Sequence, residues 1–99
     1  MSLSVSTQSN VVAAKNQICS DLAGETVILQ LTSGVYYGLD AVGTWIWNQI
    51  QEPRPVYAIR DALLAEYEVD VQQCEQDLLD LLRHLAHEGL IEVADGTAV

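Results

Sequence analysis

Val27, Leu29 and Leu31 alternate with Thr26, Ile28 and Gln30, and after Thr32-Ser33-Gly34 the alternation resumes with Val35, Tyr37 and Leu39. A two-residue period marks half-buried strands, and Gly34 can take the positive φ that a tight hairpin between them needs. At Asp40 the period changes. Val42, Ile46 and Ile50 recur at helical spacing and Asp40 is a good N-cap, so the pattern predicts a strand running straight into a helix. Upstream, an irregular first strand is expected from near Val11 toward Ile18. Turn chemistry at Ser20-Asp21-Leu22-Ala23-Gly24 then completes a three-stranded antiparallel meander, with its first or third strand exposed at each edge.

Pro53 ends the first helix before Glu52-Pro53-Arg54-Pro55, and Pro55 suits the first turn of a second. There Val56, Ile59, Leu63 and Tyr67 form an apolar stripe, with Arg60, Asp61 and Glu66 facing outward. Asp70 and Gln73 make a capping-box pattern for a third helix, with Val69 and Cys74 placed as a hydrophobic staple. Gly89 ends it, Leu90 can fold back on the last turn, and Leu90 to Val93 reads as a short terminal strand. The expectation is one α+β domain over residues 11–93, three antiparallel strands followed by three helices, with flexible tails at 1–10 and 94–99.

The third helix is apolar over more than one face. Val71, Cys74, Leu78, Leu81 and Leu85 form a core stripe, and Leu82, Leu79 and Ala86 widen it to one side, while Gln72, Gln76, Asp80, Arg83 and His87 lie opposite. Two readings are open. Either a short bundle wraps both flanks of its longest helix, or one flank borders a groove beside an exposed strand edge. Val35 to Leu39 contains no proline or charged residue, the usual devices that stop an edge from pairing with another chain. Such an edge is covered by a tail or a dimer mate, or it is used.

Composition narrows the function. With 99 residues, 49% of them hydrophobic, the chain can build one modest core. A formal charge of -10 repels phosphate backbones and anionic lipid, and the only basic residue of the third helix is Arg83. Residues 1–10 hold no basic residue followed by an apolar run, and no later stretch is long enough to span a bilayer, so a soluble cytoplasmic protein is expected. Cys19 and Cys74 read as separate packed thiols, with a disulfide between them left open. His84 and His87 have no third metal ligand placed by the pattern, and no nucleophile with a base or phosphate-cradling loop is evident. A binding module without a cofactor, rather than an enzyme, is the expectation.

Tyr36-Tyr37-Gly38-Leu39-Asp40, then Gly43, Ile46-Trp47, Asp77-Leu78 and Gly89-Leu90 together resemble the PqqD-like family over about Val11 to Val93. The hairpin Glu25 to Leu39 is most similar to the stand-alone leader-binding proteins of lasso-peptide pathways. Asp40 stands where Asn is frequent in the family, a change that keeps N-capping ability. The resemblance implies a winged-helix-like fold in which the leader of a ribosomally made precursor docks as an added strand beside the third strand, over the third helix. It then assigns peptide contact to Val35, Tyr36, Tyr37, Gly38, Cys74, Asp77, Leu78, Leu81, Leu82 and Leu85, with Asp77 placed to pair with a basic leader residue. Tyr37 is expected to be structural and Tyr36 to flank the peptide, and Trp47 to be packing with Trp45 partly exposed. Implied partners are the leader, a separate transglutaminase-like cysteine protease and an asparagine-synthetase-like cyclase, with no nucleic acid or membrane. Alternatives are a PqqD-type chaperone serving another modifying enzyme, a winged helix-turn-helix DNA-binding regulator, against which the charge argues, and an oligomerisation domain whose edge pairs with its own copy.

Overall fold

The computed structural model describes residues 5–94. In chain order the elements are β1 (Asn10–Ala13), β2 (Gln17–Leu22), β3 (Glu25–Gln30), β4 (Tyr36–Leu39), α1 (Ala41–Gln49), β5 (Arg54–Pro55), α2 (Val56–Glu66), α3 (Val71–His87) and β6 (Ile91–Ala94). They form two three-stranded antiparallel sheets, β2-β3-β4 and β5-β1-β6. The α+β class and the meander are as expected. The single irregular first strand is instead two strands in different sheets. The chain leaves β1 after Ala13 and enters the meander at Gln17, and between them the Ala14 N–H donates to the Leu90 carbonyl at 2.9 Å. Its partners are the terminal strand and the Pro55 segment, so fully buried Val11 lies opposite Val93 and Arg54.

The alternation in β3 is also real, but its phase is reversed. Thr26, Ile28 and Gln30 face inward and are buried, while Val27 and Leu29 are half-buried on the outer face and Leu31 beyond them is exposed. Polar groups can occupy a buried face when they find partners. The Thr26 N–H donates to Thr44 Oγ1 at 2.9 Å. The Gln30 amide donates to the carbonyls of Glu88 and Gly89 at 3.3 Å each, and its oxygen accepts from the Thr32 N–H at 2.8 Å. Gln30 thus ties the hairpin to the end of α3.

The helix signals are largely as read, with differences that bear on the site. Asp40 caps α1 by accepting from the Gly43 N–H at 2.8 Å. Ile46, Trp47 and Ile50 are buried, but Val42 is 43% exposed and does not join the core. Trp47 packs as expected, and half-buried Trp45 stands edge-on to Tyr67 at 6.4 Å between ring centroids. Pro55 closes β5 at the N-cap of α2 rather than entering its first turn. Asp70 accepts from the Gln73 N–H at 3.0 Å, but the Gln73 side chain does not return to Asp70 and donates to Asp77 at 2.8 Å, so the capping box is half made. Val71 and Val69, both expected to pack, are exposed. At the other end, the Leu90 N–H reaches the Leu85 carbonyl at 2.9 Å and the Gly89 N–H the Ala86 carbonyl at 3.1 Å, with Gly89 at φ 75°. This is a Schellman motif, which turns buried Leu90 back under the helix and launches β6.

The segment expected as a loose tail through residue 10 is seated from Val5 onward. Val5 is buried, and the Thr7 and Ser9 carbonyls accept from the Tyr57 and Val56 N–H groups at 3.1 and 2.9 Å. The rest of that tail, residues 1–4, and the C-terminal tail beyond Ala94 lie outside the described residues. Cys19 is exposed and Cys74 buried, and both are free thiols.

Candidate functional site

β4 is paired on one side only. Tyr36, Tyr37, Gly38 and Leu39 lie opposite Leu29, Ile28, Val27 and Thr26 of β3, and no described strand pairs with the other side. The Gln30 N–H donates to the Val35 carbonyl at 3.0 Å, so Val35, Tyr37 and Leu39 turn their backbone groups toward β3. Alternation then turns the N–H and C=O of Tyr36 and Gly38 to the open edge. At the last rung Thr44 Oγ1 accepts from Thr26 N–H at 2.9 Å and donates to the Leu39 carbonyl at 3.4 Å, which fixes the point where strand becomes helix.

Beside this edge lies a cavity of about 520 Å³ between β4, α1, the end of α2 and the first turns of α3. Buried Leu39, Ile46, Leu63, Cys74 and Leu78 form its floor. Val42 and Val69, 43% and 50% exposed, stand on its rim with Tyr67, Leu81, Gln73, Asp40 and Asp77. Gly43 keeps the α1 side close. A Cβ there would stand 3.2 Å from the Leu39 Cβ.

Among the residues predicted from the chain, Gly38, Cys74, Asp77, Leu78 and Leu81 are brought together on the cavity wall. Val35 and Tyr36 are exposed on the adjoining strand. Tyr37 is half-buried where β4 meets the end of α3, with its ring edge-on to His84 at 6.4 Å and its hydroxyl donating to Glu88. Leu82 and Leu85 are not groove residues. They are 0% and 1% exposed, because the flank of α3 that carries them with Ala86 turns into the core. The broad arc of α3 therefore does both jobs considered for it, core on the Leu82 side and cavity on the Leu81 side. The reading missed Val42, Val69 and Tyr67, which it assigned to packing. Their signal was weak, since an apolar residue at helical spacing reads as core unless its neighbours across the fold are known.

The electrostatics of the site are one-sided. Asp40 and Asp77 stand on its rim, and among the described residues no Lys or Arg lines it. Burial pushes the Cys74 thiol above its ordinary pKa, and the nearby Asp77 carboxylate adds to the shift. The hydrogen bond to Glu88 raises the Tyr37 phenol, with burial and the Glu88 charge acting in the same direction. Among the described residues no group of three or more His, Cys, Asp or Glu could hold a metal ion, and no helix is long and apolar enough to cross a membrane.

No curated protein matches the chain. A solved structure described as TbiB1 in complex with the TbiA(beta) leader peptide is similar at 40% sequence identity and a TM-score of 0.76, covering 89% of this chain and 99% of that one. The family model for coenzyme PQQ synthesis protein D matches residues 25–91, from the start of β3 to the start of β6, and so takes in the β4 edge, the cavity and all of α3. By that match the chain belongs to the PqqD family.

Proposed function

We propose that this protein is a non-catalytic adaptor of lasso-peptide biosynthesis, which holds the leader of a precursor peptide and presents it to a separate leader protease and a cyclase. The leader adds a strand to β4, using the outward backbone groups of Tyr36 and Gly38, and lodges apolar side chains in the adjoining cavity. The observation that carries this reading is the coincidence of an unguarded strand edge with an apolar cavity, in a chain 40% identical to a protein solved with a leader peptide.

Each added backbone hydrogen bond contributes about 0.5 to 1.5 kcal/mol net and tolerates many sequences. One buried aromatic or large aliphatic anchor contributes about 2 to 3 kcal/mol before ordering costs, so one or two anchors dominate selectivity. Chemistry belongs to the partners. Cys74 is a poor nucleophile because burial favours its neutral thiol. α3 is a poor DNA-recognition helix because Arg83 is its one Lys or Arg beside Glu75, Asp77 and Asp80.

The test is a fluorescence-anisotropy titration of the labelled TbiA(beta) leader peptide against the protein and its Val42→Glu variant. Saturable binding that weakens at least tenfold in the variant is expected, and no binding to the intact protein would overturn the reading. The match to the PqqD model also supports a sibling reading, in which the same groove serves a different modifying enzyme. Pull-down of a lasso-pathway leader protease and cyclase, with and without leader, separates the two.

A further inference from the structure

The cavity's charge specifies more about its guest than its shape does. Its floor is apolar, and the charged residues that line it are Asp40 and Asp77. Asp40 is committed through one oxygen to the Gly43 N–H at 2.8 Å as the cap of α1. Asp77 is exposed, and one of its oxygens accepts from the Gln73 amide at 2.8 Å, which orients the carboxylate along the groove side of α3. The chain's arginines are engaged elsewhere. Arg60 pairs with Asp61 and Glu75 at 3.1 and 3.3 Å, Arg83 reaches Asp80 at 3.8 Å and the Val5 carbonyl at 3.3 Å, and Arg54 donates to the Gln49 carbonyl. Among the described residues no cation on the cavity wall offsets the two carboxylates.

The spacing of α3 converts this into a rule for the guest. Leu81 and Asp77 are one helical turn apart, about 5 to 6 Å along the axis, and same-face side chains of a strand repeat every two residues, about 7 Å. For a guest running along α3, a side chain seated against Leu78 and Leu81 places its neighbour two residues away, toward the start of α3, within reach of Asp77. Resting on the leader-binding reading, we infer that the groove selects a leader segment with a large apolar anchor and a Lys or Arg two positions from it, and disfavours Asp or Glu there. Asp77 is the residue that sets this preference. The anchor supplies most of the affinity and the charge decides between sequences, since a partly exposed ion pair contributes little by itself.

The probes are three labelled synthetic copies of the TbiA(beta) leader, carrying Lys, Gln or Glu two positions from its apolar anchor. They are titrated in low and high salt against the protein and against Asp77→Asn and Asp21→Asn, the latter an equal charge change on exposed β2, away from the cavity. The expected order is Lys over Gln over Glu, spanning about tenfold at low salt and compressing at high salt. Asp77→Asn collapses that span and Asp21→Asn retains it. Equal affinity for all three probes, or an equal loss of the preference in Asp21→Asn, overturns the inference while leaving leader binding intact. Failure of every probe to bind the intact protein removes both this inference and the reading beneath it.

Discussion

β2 and β4 are the outer strands of the β2-β3-β4 sheet, and of the two it is β4 that lies beside the cavity. Among the described strands, β2 and β4 each pair with β3 alone. β2 is almost wholly exposed, with Ile18 at 57% and Leu22 at 60%, and it carries Asp21 as a charge on the strand. Cys19 and Asp21 lie opposite Ile28 and Thr26 on the inner face but are exposed, because the helical layer does not reach β2. β4 has no charge, runs directly into α1, and is flanked by the cavity against α3. Unpaired backbone groups are therefore common to both edges, and what separates them is an apolar wall at side-chain distance. An edge offers hydrogen bonds of modest net value, and on the proposed reading the wall is what adds the apolar area to hold a guest strand.

The sharpest way to break this comparison is to block each edge in turn. The N–H of Gly38 points outward from β4, and by the same alternation that of Cys19 points outward from β2. Proline at either position removes an edge donor while sparing the ladder to β3. Gly38→Pro is expected to weaken leader binding by about fifty-fold or more, through loss of backbone pairing and a clash with the guest. Cys19→Pro should leave it within about twofold. Anisotropy titrations, with circular-dichroism melts as a folding control, decide the matter, and equal losses at both edges would mean that strand addition is not confined to β4.

A second contrast lies within α3. Leu82→Ala is expected to cost about 2 to 5 kcal/mol of stability, measured by urea unfolding, while the folded protein keeps its leader affinity. Leu81→Glu should do the reverse, lowering affinity about tenfold with little effect on the unfolding midpoint, since its side chain borders the cavity and is only half-buried. If Leu82→Ala weakened binding in proportion to Leu81→Glu, the division of the helix into a core flank and a groove flank would be wrong.

These contrasts also mark where the chain could be read and where it could not. The hairpin at Gly34, the Asp40 cap and the Gly89 ending depend on residues within a few positions of one another, and local chemistry specifies them. The second sheet depends on β1 meeting β6 across most of the chain's length, and four-residue strands leave too few positions for a periodic signal. The phase of β3 differs from the expectation because Thr26 and Gln30 are polar by type, and the Gln30 side chain finds its partners only at the end of α3, far along the chain. The site divides in the same way. Gly38, Cys74, Asp77, Leu78 and Leu81 were legible from the strand edge, the helix period and the family likeness. Val42, Val69 and Tyr67 became visible only when α1, α2 and α3 were seen to converge.

The smallest expected effect concerns what holds β4 against α3 when no guest is present. Tyr37 donates its hydroxyl to Glu88 and lays its ring against His84, a tether from the strand to the last turn of the helix. No described side-chain hydrogen bond or ion pair joins β2 to a helix. The tether raises the Tyr37 phenol above its ordinary value of 10.0, chiefly through the hydrogen bond that only the protonated phenol can donate. A group whose pKa is raised by folding contributes stability that is complete below its unfolded value and disappears as pH climbs through the folded one. The contribution of this tether should therefore be constant through neutral pH and lost only above about pH 10. Glu88→Gln should bring the phenol back toward its ordinary range, seen as a Tyr37-dependent part of the absorbance titration near 295 nm, and Tyr37→Phe should remove that part altogether. Both variants should change leader affinity only slightly at neutral pH, since the cavity wall is built by other side chains. A large loss in either would move the tether from supporting the groove to forming it.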